Sequence, residues 1–297
     1  MRLIDEIRMS FTRSEGLFRI MVINVIFFLI IGLMKAVLFL SGNGFGLVNS
    51  IIDIVAVKSS LAGLMKQPWS LITYMFVHEN FLHILFNMLV FFWTGKIFCE
   101  FLGSRKVVAV YVLGGLAGAF LYILSYNLFP AFSQAVEFSK LIGASAGVIA
   151  VLVAIATLAP DYTMHLLLFG PVRLKYIAIF LVLLYVISIP DGNAGGNISH
   201  LGGAAFGFIY TRSLKAGVDV GNWLERIFEF FLNLFNPSKR LKAVHRSTVV
   251  KGRQVDGVPR QEIIDTILDK ISRSGYSSLS KEEKDILFKA SKHQAKD

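Results

Sequence analysis

Cysteine is nearly absent from this chain. Cys99 stands alone in 297 residues, which excludes a disulfide framework and a cysteine-based metal site. Acidic residues are also few, 20 against 30 Lys and Arg, for a net charge of +10. An excess of that size raises nucleic acid as a partner, but the basic residues do not gather on one face. They sit in alternate loops and in the tail, so nucleic acid is set aside. Charge of either sign is missing from several long apolar runs, and that absence excludes an ordinary soluble domain. The chain is 55% hydrophobic with a mean hydropathy of +0.62, which points to a polytopic membrane protein embedded in a lipid bilayer. The first run lacks a small-residue cleavage site and reads as a retained span rather than a signal peptide.

Six spans are expected, at about 18–40, 80–101, 106–127, 145–159, 173–189 and 199–214. A short segment, 1–17, precedes them, and Arg19 can snorkel to the adjacent surface. Residues 41–79 form a long first loop with a half-apolar stretch, "LVNSIIDIVAV". Arg2, Arg8, Arg13 and Arg19 flank the first span, Arg105 and Lys106 follow the second, and Arg173 and Lys175 follow the fourth. The third-to-fourth loop has Lys140 alone, and the fifth-to-sixth has no Lys or Arg. Lys58 and Lys66 in the long first loop are the main exceptions; the asymmetry otherwise predicts both termini on the cytosolic side, and a bacterial inner membrane is the expected location. Beyond the spans, "NWLERIFEFFLNLF" (222–235) is too short and too charged to cross and reads as an amphipathic helix on the inner surface. Residues 236–260 carry seven basic residues and one acid, Asp256, which suits either anionic headgroups or a solvated linker. The expected organisation is therefore a membrane domain over 18–215, an interfacial helix with a basic linker over 216–258, and a small helical hairpin over 259–297. In the hairpin, Ile263, Ile264, Ile267, Leu268 and Ile271 follow helical spacing. "SGY" breaks the helix, and Ser280 with Glu283 forms a capping box before the next one.

Three stretches can carry chemistry. "VHENFLHILFNM" (77–88) nearly spells a zinc-protease helix, but His78 and His83 are five apart, about 140° around a helix axis, and zinc ligands need i and i+4. His83 and Asn87 are four apart and share a face. Such a polar pair inside a span is either functional or interhelical hydrogen-bond glue. "GASAG" has the Gly-x-Ser-x-Gly form of a nucleophile elbow, yet nothing in the sequence supplies the preceding strand that an elbow needs. Gly143 and Gly147 equally make a Gly-x-x-x-Gly packing motif. From Ser145 to Ala159 the apolar run covers 15 residues, about 22 Å at helical rise against a hydrocarbon core of about 30 Å. A helix that short, begun at one face, leaves Ser145 below the opposite surface. "NISHLGGAAFG" opens the sixth span with His200 and repeats the small-residue spacing at Gly203 and Gly207. Close approach of the fourth and sixth spans would bring His200 to Ser145, the base a hydroxyl needs to become a nucleophile. No acid in the spans offers a third member.

Taken together, these residues resemble the rhomboid family of intramembrane serine proteases over about 19–215. His83 and Asn87 fit that family's His-x-x-x-Asn signature, "GASAG" its serine motif, and "HLGGAAFG" its sixth helix. The resemblance implies an all-α membrane protein, a six-transmembrane-helix rhomboid-like bundle with a small helical cytosolic tail. It implies Ser145 as nucleophile and His200 as base. It also implies an oxyanion hole of the Ser145 N–H, His83 and Asn87, with His78, Gly143 and Gly203 in support. Neither cofactor nor metal is implied. The implied substrates are single-pass transmembrane proteins with unstable helices and a small residue before the cut. Two positions depart from the family pattern: Ser70 follows Trp69 where Arg is usual, and Ala146 follows Ser145 where Gly is usual. The competing readings are a catalytically inactive rhomboid-like protein that binds membrane clients, and a small transporter. A transporter calls for more intramembrane charge or discontinuous inverted repeats, and the sequence has neither.

Overall fold

The computed structural model describes residues 14–42, 44–166, 170–235 and 261–294. Segment 1–13 of the N-terminal stretch and the basic stretch 236–260 lie outside the described residues. The chain divides into two compact units, 1–237 and 238–297.

The first unit is built on helices α1 (Glu15–Leu40), α5 (Phe81–Leu102), α6 (Ser104–Leu128), α7 (Ser145–Leu158), α8 (Leu174–Ile187) and α9 (Ala194–Lys215). Three of these, α1, α5 and α6, are long and apolar enough to cross a membrane by length and composition. Helices α7 and α8 are apolar but have 14 residues each, about 21 Å of rise. Length and composition alone thus support three of the six expected spans. Large apolar side chains are exposed along α1 and α8, among them Leu29, Leu33, Val37, Phe180 and Leu183. In water that surface would be costly. Facing acyl chains, it is what a membrane helix presents.

Helix α7 is the axis of the bundle, with Ala146 through Ala156 all buried. Small residues on both neighbours admit it. On α6, a Cβ at Gly118 would fall 2.6 Å from the Ala146 methyl, and one at Gly114 would collide with Ala150. On α9, Gly203 and Gly207 lie against the backbone carbonyls of Ala146 and Ala150. The close approach expected of the fourth and sixth spans is therefore present. It comes from backbone-to-backbone packing, the contact that drives association where lipid supplies no hydrophobic force. The methyl of Ala146, a departure from the family pattern, is housed opposite Gly118.

The first loop is more ordered than its sequence indicates. It holds α2 (Gly46–Val55), β1 (Val57–Lys58), α3 (Leu61–Lys66), α4 (Ser70–Thr73) and a 3-10 turn at Tyr74–Phe76. The Trp69 indole donates to the Ile54 carbonyl (3.0 Å), and the Thr73 hydroxyl to that of Val55 (2.8 Å). Ser70, the departure from the family pattern in this loop, is fully buried. The all-helical expectation needs correction in two places. β1 pairs antiparallel with β2 (Lys140–Leu141), and β3 (Thr163–Leu166) with β4 (Gly170–Arg173). Sequence periodicity cannot reveal strands two to four residues long. Arg19 pairs with Glu15 one turn earlier, and both side chains are more than half exposed.

Helix α10 (Asn222–Phe235) follows α9 and is fastened to the start of α6: Lys106 pairs with Asp219 and lies 3.5 Å from Glu225. In the second unit, α11 (Gln261–Ser274) and α12 (Lys281–Gln294) form the hairpin, with Ile267 and Leu279 buried. Gly275 turns the chain at φ 77°, a backbone that favours glycine. The capping box is reciprocal: the Ser280 N–H donates to Glu283 (2.7 Å) and the Glu283 N–H to the Ser280 hydroxyl (3.2 Å). Lys270 donates to both carboxylate oxygens of Glu283 at 2.8 Å.

Candidate active site

The segment before Ser145 is held from several sides. β2 pairs Lys140 with Lys58 and Leu141 with Val57. The Gly143 N–H donates to the Tyr74 carbonyl at 2.9 Å, and the Ala144 N–H to His78 Nε2 at 3.5 Å. Gly143 takes φ +122°, in the region that favours glycine. Its Cβ position lies 3.0 and 3.2 Å from the His83 ring and 3.7 Å from Ser145 Oγ, so a side chain there would strike His83. This two-residue strand, turn and helix corrects the sequence reading, in which no strand preceded the serine. The arrangement is an elbow in miniature.

Ser145 is the first residue of α7. Its N–H is among those that a helix start leaves without an intrahelical carbonyl, at the positive end of the macrodipole. His200 Nε2 lies 2.6 Å from Ser145 Oγ. His200 does not open its helix, as the sequence reading had it. α9 begins at Ala194, capped by Asn193, whose side chain accepts the Gly196 N–H at 3.2 Å. The polar and glycine-rich first turn, "AGGNIS", hides the helix start from hydropathy. His200 Nδ1 is buried without a hydrogen-bond partner among the described residues. The ring is braced instead by Tyr185 of α8, with centroids 4.3 Å apart.

His83 lies in the first turn of α5, where Asn80 caps the helix by accepting the His83 N–H at 2.8 Å. His78 is fully buried and precedes that helix. The angular separation of a shared helix therefore does not apply, and the His78 and His83 rings meet edge to face at 5.0 Å. Ala144 occupies the His78 Nε2 lone pair. Asn87, one turn along α5, is buried and donates one amide hydrogen to the His83 carbonyl at 3.0 Å, leaving the other hydrogen of the amide.

A cavity of about 580 Å³ is lined by Ser145, His200 and His83 together with Glu79, Lys140 and Asn193. Asn87, His78, Gly143 and Gly203 are not on its lining. They support residues that do line it or the start of α7: Gly143 and Gly203 admit His83 and Ala146, Asn87 donates to the His83 carbonyl, and His78 accepts from Ala144. Glu79, in the loop ahead of α5, is also on the lining. Asn80 and Asn193 carried a legible signal, a capping residue ahead of a helical stretch. Tyr185 carried none, since one aromatic in an apolar helix does not stand out.

An integral membrane helical protein with a serine and a histidine joined inside the bundle is the class defined by this fold and geometry. The Rhomboid domain family model matches residues 65–216, and the chain belongs to the rhomboid family. Residues 255–293 match a second family of unknown function, DUF6576. The chain is similar to "RHOMBOID-like protein 12, mitochondrial" of Arabidopsis thaliana, 30% identical over 159 residues, 50% of this chain and 47% of that protein. It thus spans about half the length of the curated relative it matches.

Proposed function

We propose that this protein is an intramembrane serine endopeptidase that cuts single-pass transmembrane proteins. The observation that carries the reading is the 2.6 Å contact between His200 Nε2 and Ser145 Oγ. With its hydrogen on Nδ1, His200 offers the Nε2 lone pair to the Ser145 hydroxyl. Oγ attacks the scissile carbonyl while its proton passes to Nε2. The same proton then goes to the leaving amine as the C–N bond breaks. Water in the cavity hydrolyses the acyl-enzyme, with His200 again as base.

The oxyanion is received by the Ser145 N–H and the His83 ring, with the second amide hydrogen of Asn87 as a further donor. Donors of this kind bind charge that appears during reaction, and losing one typically costs about 10²–10³ in rate. The membrane domain is read as six spans, with α7, α8 and α9 completing the three long helices. Both termini are placed on the side of the basic loops, with α10 along that surface. The retained Ser145–His200 pair favours catalysis over a client-binding rhomboid relative without activity.

The test is cleavage of a single-pass substrate in vesicles, with fluorophosphonate labelling of the serine. Ser145→Ala is expected to abolish both while leaving folding intact. Cleavage by that variant at the wild-type rate removes the mechanism from this site.

A further inference from the structure

Among the described residues lining the cavity, Glu79 and Lys140 carry the full charges. Lys140 has an unusual arrangement behind it. Its Nζ lies 3.1 Å from Asp53 Oδ1 on α2, and Lys58 Nζ lies 3.3 Å from the same oxygen. One carboxylate thus serves two ammonium groups. The Lys140 hydrogen bond, helped by Lys58 and opposed by burial, holds the Asp53 carboxyl below its ordinary range, so it stays ionised at neutral pH. Both pairs are partly exposed, and pairs of that kind contribute little to stability, so giving one up costs little. When Lys140 turns away, Asp53 keeps Lys58 and no charge is orphaned. The Lys140 backbone need not follow, because its register with Lys58 in the β1–β2 pair fixes it.

We propose that Lys140 is a specificity-determining residue. It leaves Asp53 to Lys58 and binds a substrate carboxylate beside the scissile bond, so that Asp or Glu flanking the cut is preferred over its amide. This rests on the protease reading above. The ligand chemistry is a side-chain carboxylate on an unwound stretch of substrate lying in the cavity. Lys140 lies five residues before Ser145 in sequence and shares that cavity with it.

The experiment uses full-length protein in vesicles. Each substrate residue within three positions of the cut is changed in turn to Asp and to Asn. The readout is the Asp/Asn ratio of kcat/KM within each enzyme variant, which cancels differences in folded fraction. At one flanking position the wild-type ratio is expected at about 2- to 5-fold, the scale of a partly exposed ion pair. It falls to about one in Lys140→Gln and below one in Lys140→Glu, as expected for a charge pair of this exposure. Asp53→Asn raises the ratio by removing the rival carboxylate. Lys58→Gln lowers it, because Asp53 then holds Lys140 alone. High salt moves the wild-type ratio toward one. A wild-type ratio of one at every position, or a preference that survives Lys140→Gln, overturns the proposal while the protease reading stands. No cleavage of any substrate and no labelling of Ser145 overturns both.

Discussion

Substituting Gly203 by alanine tests whether backbone packing sets the reactive geometry. The new methyl would fall on the Ala146 carbonyl group, 2.8 Å from its carbon and 3.1 Å from Ala146 Cα, where ordinary contact begins near 3.4 Å. On α7 the Ala146 methyl is already packed against Gly118 of α6, where a Cβ would fall 2.6 Å away. The strain therefore falls on α9, which must withdraw by about 1 Å, an overpacking worth about 1–3 kcal/mol. His200 sits one turn from Gly203 on the same face and moves with it. A 2.6 Å contact lengthened by about 1 Å passes the limit for a hydrogen bond, and misplacement of that size costs about 10²-fold. The assay is the rate of fluorophosphonate labelling per folded molecule, beside a melting curve in the same detergent. Gly32→Ala on α1 is the control, since nothing lies within 4 Å of its Cβ position. Labelling of Gly203→Ala within about threefold of wild type, far short of that 10²-fold loss, would refute the reasoning.

Asn87→Ala separates transition-state binding from packing: kcat per probe-titrated site should fall about 10- to 10³-fold with KM little changed. A packing role alone would leave turnover intact and cost about 0.6–2 kcal/mol of stability. In the hairpin, Ser280→Ala removes one half of the capping box and should speed amide exchange in the first turn of α12 by about 2- to 30-fold. Lys270, then the Ser280 N–H, holds the Glu283 carboxyl below its ordinary range. Its contribution is therefore present above the ordinary glutamate range and lost as pH falls through the lowered value. Protection of that turn should decline on acidification in the wild type, measured by exchange across a pH series.

Hydropathy and small-residue spacing placed α1, α5, α6, α7 and α8 within about three residues, because lipid-facing side chains announce themselves by composition. Gly203 and Gly207 announced the α7–α9 contact, and through it the meeting of Ser145 and His200. The capping box at Ser280 was legible because its parts are three residues apart. What stayed hidden depends on distant parts of the chain. β1 and β2 are two residues each and exist through each other, 82 positions apart. The rings of His78 and His83 meet because His78 lies outside the helix, a boundary set by Asn80 and the packing of the loop. Glu79 and Lys140 share a cavity that no local pattern encodes.

Ser145 and His200 come from helices that do not follow one another, and 55 positions separate them. A ribosome adding about 5–20 residues per second needs about 3–11 s to cover that interval. During that time Ser145 is in place without His200. The order of the chain thus acts as a delay, and the serine gains its partner when α9 arrives to close the bundle.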